Sequence, residues 1–289
     1  MSVQLPDVLN IFVCPICKGR LDLHVGHMKD DVVETGNLSC AGCKKSFSID
    51  ASVPVFINDE VEMNREGVAV RLESAIALFR EEIDPESNRS GRLFDNDLDD
   101  KDAVFLDIGC GIGRHLLALK NNNILNTFGF DIVRDLLWIA RNEFNLKNVF
   151  AANALYIPLP NNFADKCFLY NVIEHCSEPE GVLSEIHRVL ARDGILYMDC
   201  PNAKSVGDRI FRWGGRIVYG QTSHIQKFSR NKIEALVNRT GFQILESRVQ
   251  RGIFIDYPQL RKFTLIKKIL KTLYGNDVAG WELKLRKVG

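Results

Sequence analysis

The chain has 289 residues, 46% of them hydrophobic, which suits one large domain or a medium-sized domain with a small companion. Its 37 basic and 37 acidic residues give a formal net charge of zero, which excludes a uniformly basic nucleic-acid-binding protein. The N-terminus lacks the basic and apolar run of a signal peptide, and no stretch approaches about 18 consecutive apolar residues. We therefore expect a cytoplasmic protein whose thiols stay reduced.

Two short cysteine motifs near the N-terminus predict a structural zinc site. Each is a C-x-x-C pair, and 22 residues separate the two pairs. A C-x-x-C turn directs two thiolates at one metal ion, and a second pair completes tetrahedral coordination. The predicted ligands are Cys14, Cys17, Cys40 and Cys43. His24 and His27 lie between the pairs and are the alternative ligands.

Residues 1–58 hold too few apolar side chains for a self-sufficient core, so the metal would supply much of their folding free energy. After the second cysteine pair, "KSFSIDASVPVFI" predicts a strand, a turn and another strand. The cysteine pairs and the closing "VPVFI" resemble the small zinc-ribbon activator proteins that pair with tRNA, rRNA and release-factor methyltransferases. The resemblance covers roughly residues 10–58. It implies a zinc ribbon that docks and stabilises, without an active site of its own.

Residues 59–100 form the predicted connection to the rest of the chain. Apolar residues recur at helical spacing from Val68 to Phe79, and Pro85 ends this helix. The acidic run Asp95–Asp102 closes a polar linker that we expect to be solvated.

From residue 101 onwards, short apolar runs alternate with amphipathic helices. Strands such as "AVFLDIG", "TFGFDI", "DKCFLYNVI" and "GILYMDC" are separated by segments such as "VRDLLWIARNEF" and "PEGVLSEIHRVL". This alternation predicts an α/β domain, residues 101–258, with a parallel sheet covered on both faces. Residues 259–289 follow as a basic amphipathic segment, which covers the protein's own core or, alternatively, makes peripheral contact with a membrane.

The glycine-rich turn "FLDIGCGIGRH" after the first strand of this domain selects the class of ligand. A dinucleotide-binding turn needs a third glycine where this chain has Arg114, and Asp107 would repel a pyrophosphate. A carboxylate and bare backbone suit a cation instead. S-adenosylmethionine carries an ammonium and a sulfonium. Asp131, at the end of the second strand, can accept hydrogen bonds from both ribose hydroxyls.

The motifs from "FLDIGCGIGRHLLAL" through "GFDI", "NALYIPLPNNFADKCFLYNVIEHC" and "EIHRVLARDGILYMDCPN" to "GFQILE" resemble the class I S-adenosylmethionine-dependent methyltransferases. The resemblance spans about residues 101–250 and is closest to the small-molecule branch that includes ubiquinone-biosynthesis and other O-methyltransferases. It implies a Rossmann-like, mostly parallel seven-stranded sheet with helices on both faces.

The resemblance also implies a set of cofactor-binding residues. The methionine moiety would be surrounded by Asp107, Gly109, Gly111 and Gly113, and the ribose would be held by Asp131. The adenine would lie near Ile132, Asn153 and Ala154, and the methyl-donor side would be lined by Asn171. The family commonly has Asp where this chain has Asn153, and an amide oxygen can still accept the same hydrogen bond.

An oxygen acceptor must lose a proton, and histidine is the side chain that does this near neutral pH. His175 follows the fourth strand, and His224 follows an insert of about residues 204–223 that is rich in arginine, glycine and aromatic residues. We expect one of these two histidines to be the base; the alternatives are loop capping or packing for His175 and substrate contact for His224. We expect the insert to act as a lid, or to be an ordinary surface insert.

The sequence therefore predicts an S-adenosylmethionine-dependent methyltransferase with a structural Zn²⁺ site, acting at oxygen on a small-molecule or lipid- or sugar-linked acceptor. The first alternative is an rRNA or tRNA methyltransferase with a ribbon that recognises the substrate. Zero net charge argues against it, as does the absence at "YNVIEH" of the Asp/Asn/Ser-Pro-Pro-Tyr/Phe tetrapeptide typical of enzymes that methylate exocyclic nitrogens. The second alternative is a non-catalytic scaffold that keeps the fold.

Overall fold

The computed structural model describes residues 10–57, 92–202, 204–205, 225–226, 228–251 and 278–289. Its strands are β1 (Leu21–Lys29), β2 (Val32–Cys40), β3 (Ser46–Asp50), β4 (Val53–Val55), β5 (Phe105–Ile108), β6 (Thr127–Asp131), β7 (Val149–Ala151), β8 (Ala164–Leu169), β9 (Leu190–Pro201), β10 (Phe242–Arg251) and β11 (Val278–Lys287). Its helices are α1 (Arg114–Asn121), α2 (Arg134–Asn142), α3 (Pro179–Val189) and α4 (Arg230–Arg239), with short 3-10 helices at Leu93–Asp97 and Ile173–His175.

Seven of these strands form the α/β domain, in the order β7-β6-β5-β8-β9-β11-β10. Neighbouring strands pair in parallel from β7 to β9, and β11 is antiparallel to both of its neighbours. On β5, Phe105 packs in a cluster with Leu119 of α1, whereas the adjacent Leu106 packs in the cluster that holds Leu183 of α3. Because successive strand residues point to opposite faces, helices cover both sides of the sheet. The expected Rossmann-like fold is confirmed.

The sheet does not stop at seven strands. The ribbon strands β1 to β4 form an antiparallel meander, and β4 pairs in parallel with β7 through Val55 and Ala151. The Phe56 N–H also donates to the Ala151 carbonyl at 2.7 Å. The result is one mixed eleven-stranded sheet, so the ribbon extends the domain instead of sitting beside it.

Aromatic rings join the ribbon to the domain across this seam. The centroid of the Phe12 ring lies 4.9 Å from that of the Phe56 ring and 5.0 Å from that of the Phe150 ring, and Phe150 is the central residue of β7. All three rings are buried in one hydrophobic cluster. Full burial of a phenylalanine side chain stabilises by roughly 1.5–3 kcal/mol, so the seam is part of the core.

Polar contacts hold a second part of the ribbon to the domain. The Val13 N–H donates to the Pro158 carbonyl at 3.0 Å. The ammonium of Lys18 lies 2.8 Å from a carboxylate oxygen of Glu185 on α3 and also donates to the Ile157 carbonyl. The loop after β7 is therefore fixed by ribbon residues.

The acidic linker differs from the expectation where the structure describes it. Phe94 and Leu98 are buried, and Asp97 accepts hydrogen bonds from the Tyr197 hydroxyl and the Lys284 ammonium, both at 2.7 Å. The stretch beginning at Arg92 is a 3-10 helix packed on the sheet, because its apolar residues cover the rings of Phe168 and Tyr197. The helix expected before Pro85 lies outside the described residues.

The C-terminal segment also differs from the expectation. Residues 278–287 form β11, which inserts between β9 and β10, so the α/β domain does not end at residue 258. The physical reason is the alternation of Trp281, Leu283 and Leu285, all buried on one face of the sheet. Residues 252–277, which include the expected amphipathic helix, lie outside the described residues. Among the helices that are described, none is both long and apolar enough to cross a membrane.

Candidate functional site

The four ribbon cysteines converge as predicted. Their sulfurs all lie within 4.8 Å of one another, with 3.5 Å between Cys14 and Cys43 and 3.4 Å between Cys17 and Cys40. A zinc tetrahedron with Zn–S bonds of about 2.3 Å separates its sulfurs by about 3.8 Å. The four thiols therefore fit a Cys₄ zinc site.

The two histidines between the cysteine pairs are not part of this cluster. His24 hydrogen-bonds the Ser39 hydroxyl at 2.8 Å, and His27 lies 3.5 Å from a carboxylate oxygen of Glu34. Both are on β1 and point to the β2 side of the hairpin. The alternative ligand set with histidine is not the arrangement found.

Each cysteine pair lies in the same type of turn. In the first, the Lys18 N–H donates to the Cys14 carbonyl at 2.8 Å, and in the second, the Lys44 N–H donates to the Cys40 carbonyl at 3.0 Å. Lys18 and Lys44 have φ of 59° and 61°, so each turn closes through a left-handed residue. The ribbon thus presents its thiols from two equivalent knuckles.

The thiols differ in their readiness to ionise. Burial raises the pKa of the Cys14 thiol to about 12, whereas the backbone N–H of Cys43 lowers the pKa of Cys40 to about 7. Zinc binds thiolates, so a proton must leave Cys14 when the metal binds. Acid therefore opposes metal binding at this site.

The glycine turn after β5 uses its three glycines in two ways. Gly109, Gly111 and Gly113 have φ of 71°, 54° and 88°. A Cβ at Gly109 would lie 2.3 Å from Val172 Cγ2, and one at Gly113 would lie 2.2 Å from Leu146 Cδ1. A Cβ at Gly111 would meet no atom of the described residues within 4 Å. Gly109 and Gly113 permit close packing, and Gly111 faces open space at the carboxyl edge of the sheet.

Asp131 ends β6 beside this turn, and both of its carboxylate oxygens are oriented by backbone amides. The Gly111 N–H donates to Oδ2 and the Val133 N–H to Oδ1, each at 2.9 Å. Burial raises the pKa of Asp131, and these amides oppose the rise. Each oxygen keeps a further lone pair, so the carboxylate can also accept bonds from two neighbouring hydroxyls.

Asp107 is the most deeply buried acid of the turn, with 1% of its surface exposed. Its Oδ2 makes no hydrogen bond within the part of the chain that is described, although His115 Nδ1 lies 3.3 Å away. His115 Nδ1 is therefore a close neighbour of this oxygen without being a hydrogen-bond donor to it. A buried carboxylate is costly without a partner, so this site fits a cationic group.

The expected adenine residues follow β6 and β7. Ile132, Asn153 and Ala154 are half-buried, and the Ala152 N–H donates to the Asp131 carbonyl at 3.1 Å, which links the two loops. Asn153 Oδ1 accepts the Leu155 N–H at 2.9 Å and retains one lone pair.

Asn171 and His175 lie at the carboxyl end of β8. Both are exposed, and the Nε2 of His175 lies 3.9 Å from a carboxylate oxygen of Glu174. His224 and residues 206–223 of the insert lie outside the described residues. Ile225 and Gln226, which follow His224, both donate their N–H groups to the Glu174 carbonyl at 3.0 Å.

A row of polar residues that sequence reasoning missed crosses the sheet next to this edge. Asp199 on β9 is directly opposite Glu282 on β11, which is opposite Arg248 on β10. The Tyr170 hydroxyl donates to Glu282 Oε1 at 2.8 Å, and Arg92 Nη1 donates to Asp199 Oδ2 at 3.1 Å. An acid inside the apolar run "ILYMDC" could have indicated Asp199 from the sequence. Arg92 lies in the segment predicted to be a linker, so nothing in the sequence indicated its role.

One cleft of about 230 Å³ lies away from this edge. Residues at the end of α1 and the starts of β6 and β7 line it, among them Lys120, Thr127 and Val149. It is at the amino ends of the strands, whereas parallel sheets bind ligands at their carboxyl ends. The glycine turn, not this cleft, is the candidate cofactor site.

Two families match the chain in separate stretches. Residues 106–198 match the family described as "Methyltransferase domain", and residues 6–51 match the family described as "Trm112p-like protein". The first stretch runs from β5 to β9, and the second contains all four zinc ligands.

Curated relatives match parts of the chain. An uncharacterized protein of Methanocaldococcus jannaschii is 36% identical over 111 residues, covering 38% of this chain and 41% of that protein. A ubiquinone/menaquinone biosynthesis C-methyltransferase of Campylobacter jejuni is 35% identical over 102 residues, covering 33% and 43%. The chain thus spans about two-fifths of the length of these relatives. A UPF0434 protein of Dechloromonas aromatica is 40% identical over 53 residues, covering 18% and 78%.

Solved structures show the same fold. One chain of a complex between the Haloferax volcanii Trm112 methyltransferase activator and a methyltransferase aligns with a TM-score of 0.51 at 16% identity, covering 64% of this chain and 82% of that chain. An S-adenosylmethionine-dependent methyltransferase of Mesorhizobium loti aligns with a TM-score of 0.50 at 14% identity, covering 64% and 91%. With the glycine turn, its flanking acids and the four convergent thiols, these matches identify residues 106–198 as an S-adenosylmethionine-dependent methyltransferase domain and residues 6–51 as a Trm112p-like zinc ribbon in the same polypeptide.

Proposed function

We propose that the protein transfers a methyl group from S-adenosylmethionine to an oxygen of a small-molecule or lipid- or sugar-linked acceptor. The observation that carries the proposal is the pairing of Gly111, where a Cβ would meet no atom of the described residues within 4 Å, with Asp131, whose two oxygens are held by backbone amides. When bound, the cofactor supplies a methyl group on a positively charged sulfur.

The chain's own residues would bind and orient the cofactor. Asp131 would accept the two ribose hydroxyls, because its oxygens are already fixed and need no reorganisation. Gly111 would let the backbone approach the methionine moiety closely. Asp107 would offset the positive charge near the turn, since its buried Oδ2 makes no hydrogen bond to the described residues. Holding donor and acceptor in place can lower the barrier by roughly 7–11 kcal/mol in favourable cases.

A base would remove the proton of an oxygen acceptor. His175 supports this role by its place on the 3-10 helix that follows β8, where it is partly exposed and near Glu174. His224 remains the second candidate, and the residue after it bonds to the same 3-10 helix. Either histidine would accept a proton near neutral pH.

A small acceptor is supported by the name of the Campylobacter relative, which acts in quinone biosynthesis, and by the zero net charge of this chain. That relative is named as a C-methyltransferase, so oxygen as the acceptor atom is our expectation from the two histidines. Peripheral membrane contact through residues 259–277 is likewise a proposal. Co-sedimentation with anionic lipid vesicles tests it.

The experiment has two stages. S-adenosylmethionine should raise the melting temperature of the wild-type protein and bind at one per chain in calorimetry, whereas Asp131→Ala should not respond at the same concentration.

Native mass spectrometry of the protein from its own cells should then identify the acceptor. With that acceptor, His175→Asn and His224→Asn are compared. Normal turnover in both variants would contradict a histidine base, and absence of cofactor binding by the wild type would favour the scaffold alternative.

A second candidate function is methylation of rRNA or tRNA. The match of residues 6–51 to the Trm112p-like family supports it. The ribbon resembles the zinc-ribbon activators that pair with tRNA and rRNA methyltransferases, and here it accompanies a methyltransferase domain. Incubation with tritiated S-adenosylmethionine and total RNA tests it. Label in RNA that survives protease and disappears with ribonuclease would replace the small-molecule proposal.

A further inference from the structure

We propose that Asp199 is a positioning residue that holds the strand end at Asn171, and through it the methionine side of the cofactor site. This inference rests on the proposed function. Asn171 is not glycine, yet its φ is 55°, in the left-handed region. Such a conformation persists when surrounding contacts fix it. The contact here is a hydrogen bond of 2.6 Å from the Asn171 N–H to Asp199 Oδ1.

The Asp199 carboxylate is itself held on its other side. Arg92 Nη1 donates to Oδ2 at 3.1 Å, and the guanidinium of Arg92 stacks 4.6 Å from the centre of the Tyr170 ring. Tyr170 is in turn fixed by its hydroxyl, which donates to Glu282. Burial raises the pKa of Asp199, and the charge of Arg92 is the main effect that opposes the rise. Asp199 is thus a buried, oriented acceptor.

The conformation of Asn171 sets the position of two parts of the candidate site. Val172, the next residue, fills the space where Gly109 lacks a side chain, because a Cβ there would lie 2.3 Å from Val172 Cγ2. The Val172 carbonyl accepts the His175 N–H at 2.9 Å, which begins the 3-10 helix that carries His175. Asp199 therefore connects the glycine turn with the candidate base, without touching the ribose end at Asp131.

This connection predicts an effect on one end of the cofactor only. S-adenosylmethionine has both the nucleoside and the amino-acid end, whereas 5′-methylthioadenosine lacks the amino acid. Both partners of Asp199 are donors, so in Asp199→Asn the NH₂ group must face either the Asn171 N–H or Arg92, and the carboxylate charge that holds both is lost. We expect the dissociation constant of S-adenosylmethionine to rise about tenfold and that of 5′-methylthioadenosine to change less than about twofold.

The matched control is Asp165→Asn. Asp165 also accepts a backbone N–H, from Val104 at 2.8 Å, but it is exposed and lies at the opposite end of β8. Both dissociation constants should remain at the wild-type values. Asp131→Asn should weaken both ligands together, because it acts at the ribose.

A double variant tests the role of the backbone. Glycine adopts positive φ without strain, so Asn171→Gly should reduce the dependence on Asp199. The fall in melting temperature caused by Asp199→Asn should be at least halved in the Asn171→Gly background, a measurement that needs no cofactor. If Asp199→Asn does not fold, Arg92→Gln carries the same tests, with the same direction and a smaller size.

Two outcomes would overturn the inference. Equal weakening of both ligands by Asp199→Asn would mean a general structural role, and an undiminished melting shift in the Asn171→Gly background would remove the backbone link. If the wild-type protein binds neither ligand, the proposed function fails, and the melting-temperature comparison still decides the link between Asp199 and Asn171.

Discussion

The zinc knuckles and the glycine turn are both tight turns, the first fitting a metal ion and the second proposed to hold a cationic cofactor, and they use different parts of the chain. The knuckles offer four side chains from residues 14–43, and each closes through a lysine in the left-handed region. The glycine turn offers bare backbone, and its carboxylates come from β5 and β6. At the glycine turn, by contrast, side chains at Gly109 and Gly113 would collide with Val172 and Leu146.

This difference teaches where each site gets its order. The zinc site is local, and the metal itself brings its ligands together. The cofactor site depends on strands that must first be packed side by side. Disturbing a ligand should therefore unfold the ribbon, whereas disturbing the cofactor site should have effects that depend on which atom is changed.

The largest effect is expected from loss of a zinc ligand. Cys40→Ser should remove the metal, whose binding contributes about 10–16 kcal/mol of apparent free energy in small zinc modules, and should unfold the ribbon. Elemental analysis should then find no zinc, and the domain should melt at lower temperature because β7 loses its neighbour. Cys176→Ser, outside the cluster, should keep one zinc per chain. Retention of zinc in Cys40→Ser would show that the zinc site, like the cofactor site, survives the loss of one of its contacts.

The next effect separates packing glycines from the open one. Gly113→Ala places a methyl group 2.2 Å from Leu146, whereas Gly111→Ala meets no described atom, and both carry positive φ. In urea unfolding, Gly113→Ala should be less stable than Gly111→Ala by about 1–3 kcal/mol, the usual cost of overpacking. Gly111→Ala should instead lose cofactor affinity. The reverse order would show that Gly111 does not face the ligand.

A smaller effect is expected at Asp131, which we propose binds the ribose. Asp131→Asn loses the charge and places an NH₂ against one of the two amides that now bond to the carboxylate. Hydrogen bonds to charged groups contribute about 1.5–3 kcal/mol, so calorimetry should show S-adenosylmethionine bound about 10- to 100-fold more weakly. Because burial raises the pKa of Asp131, wild-type affinity should also fall on acidification before an ordinary aspartate would protonate. Unchanged affinity would remove Asp131 from the site.

The smallest effect concerns the ion pair at the ribbon seam. Although burial opposes it, Arg188 and Lys18 hold the pKa of Glu185 below its usual range. A lowered acid pKa adds stability above the ordinary glutamate pKa, and this stability is lost as pH falls through the lowered value. The pKa of Lys18 is also lowered, in its case by burial, but a lysine is already protonated in acid. The loss of stability in acid is therefore assigned to Glu185.

Glu185→Gln should accordingly lower the free energy of unfolding at pH 7 by up to about 1 kcal/mol, since the pair is partly solvated. The difference from wild type should shrink in acid. Glu180→Gln, at the exposed pair with Arg239, is the control and should match wild type at every pH. A difference that grows in acid would reverse the assigned sign.

The sequence allowed prediction of what depends on local pattern. The zinc ligands followed from spacing, and the glycine turn followed from the order of acids and glycines after a buried strand. The strand at residues 278–287 was not predicted, because these residues were included in the basic amphipathic segment 259–289. Alternation puts Trp281, Leu283 and Leu285 in the core while Lys284 reaches Asp97.

The features that the sequence did not predict depend on long-range contacts. Arg92 and Asp199 are 107 residues apart, and nothing in either local sequence indicates their pairing. The parallel contact between β4 and β7 likewise depends on the edge that the domain leaves open, which the ribbon's own sequence does not encode. These features arise only when the sheet is assembled.

That shared edge also affects the order of events during synthesis. The ribbon leaves the ribosome first, but β4 gains its parallel neighbour only when Ala151 emerges about 100 residues later, roughly 5–20 s at usual elongation rates. During this interval, the edge of β4 and the Phe12 and Phe56 rings have no domain to cover them. The nascent chain is then most exposed to aggregation, and early zinc loading is what would keep the meander ready to template β7.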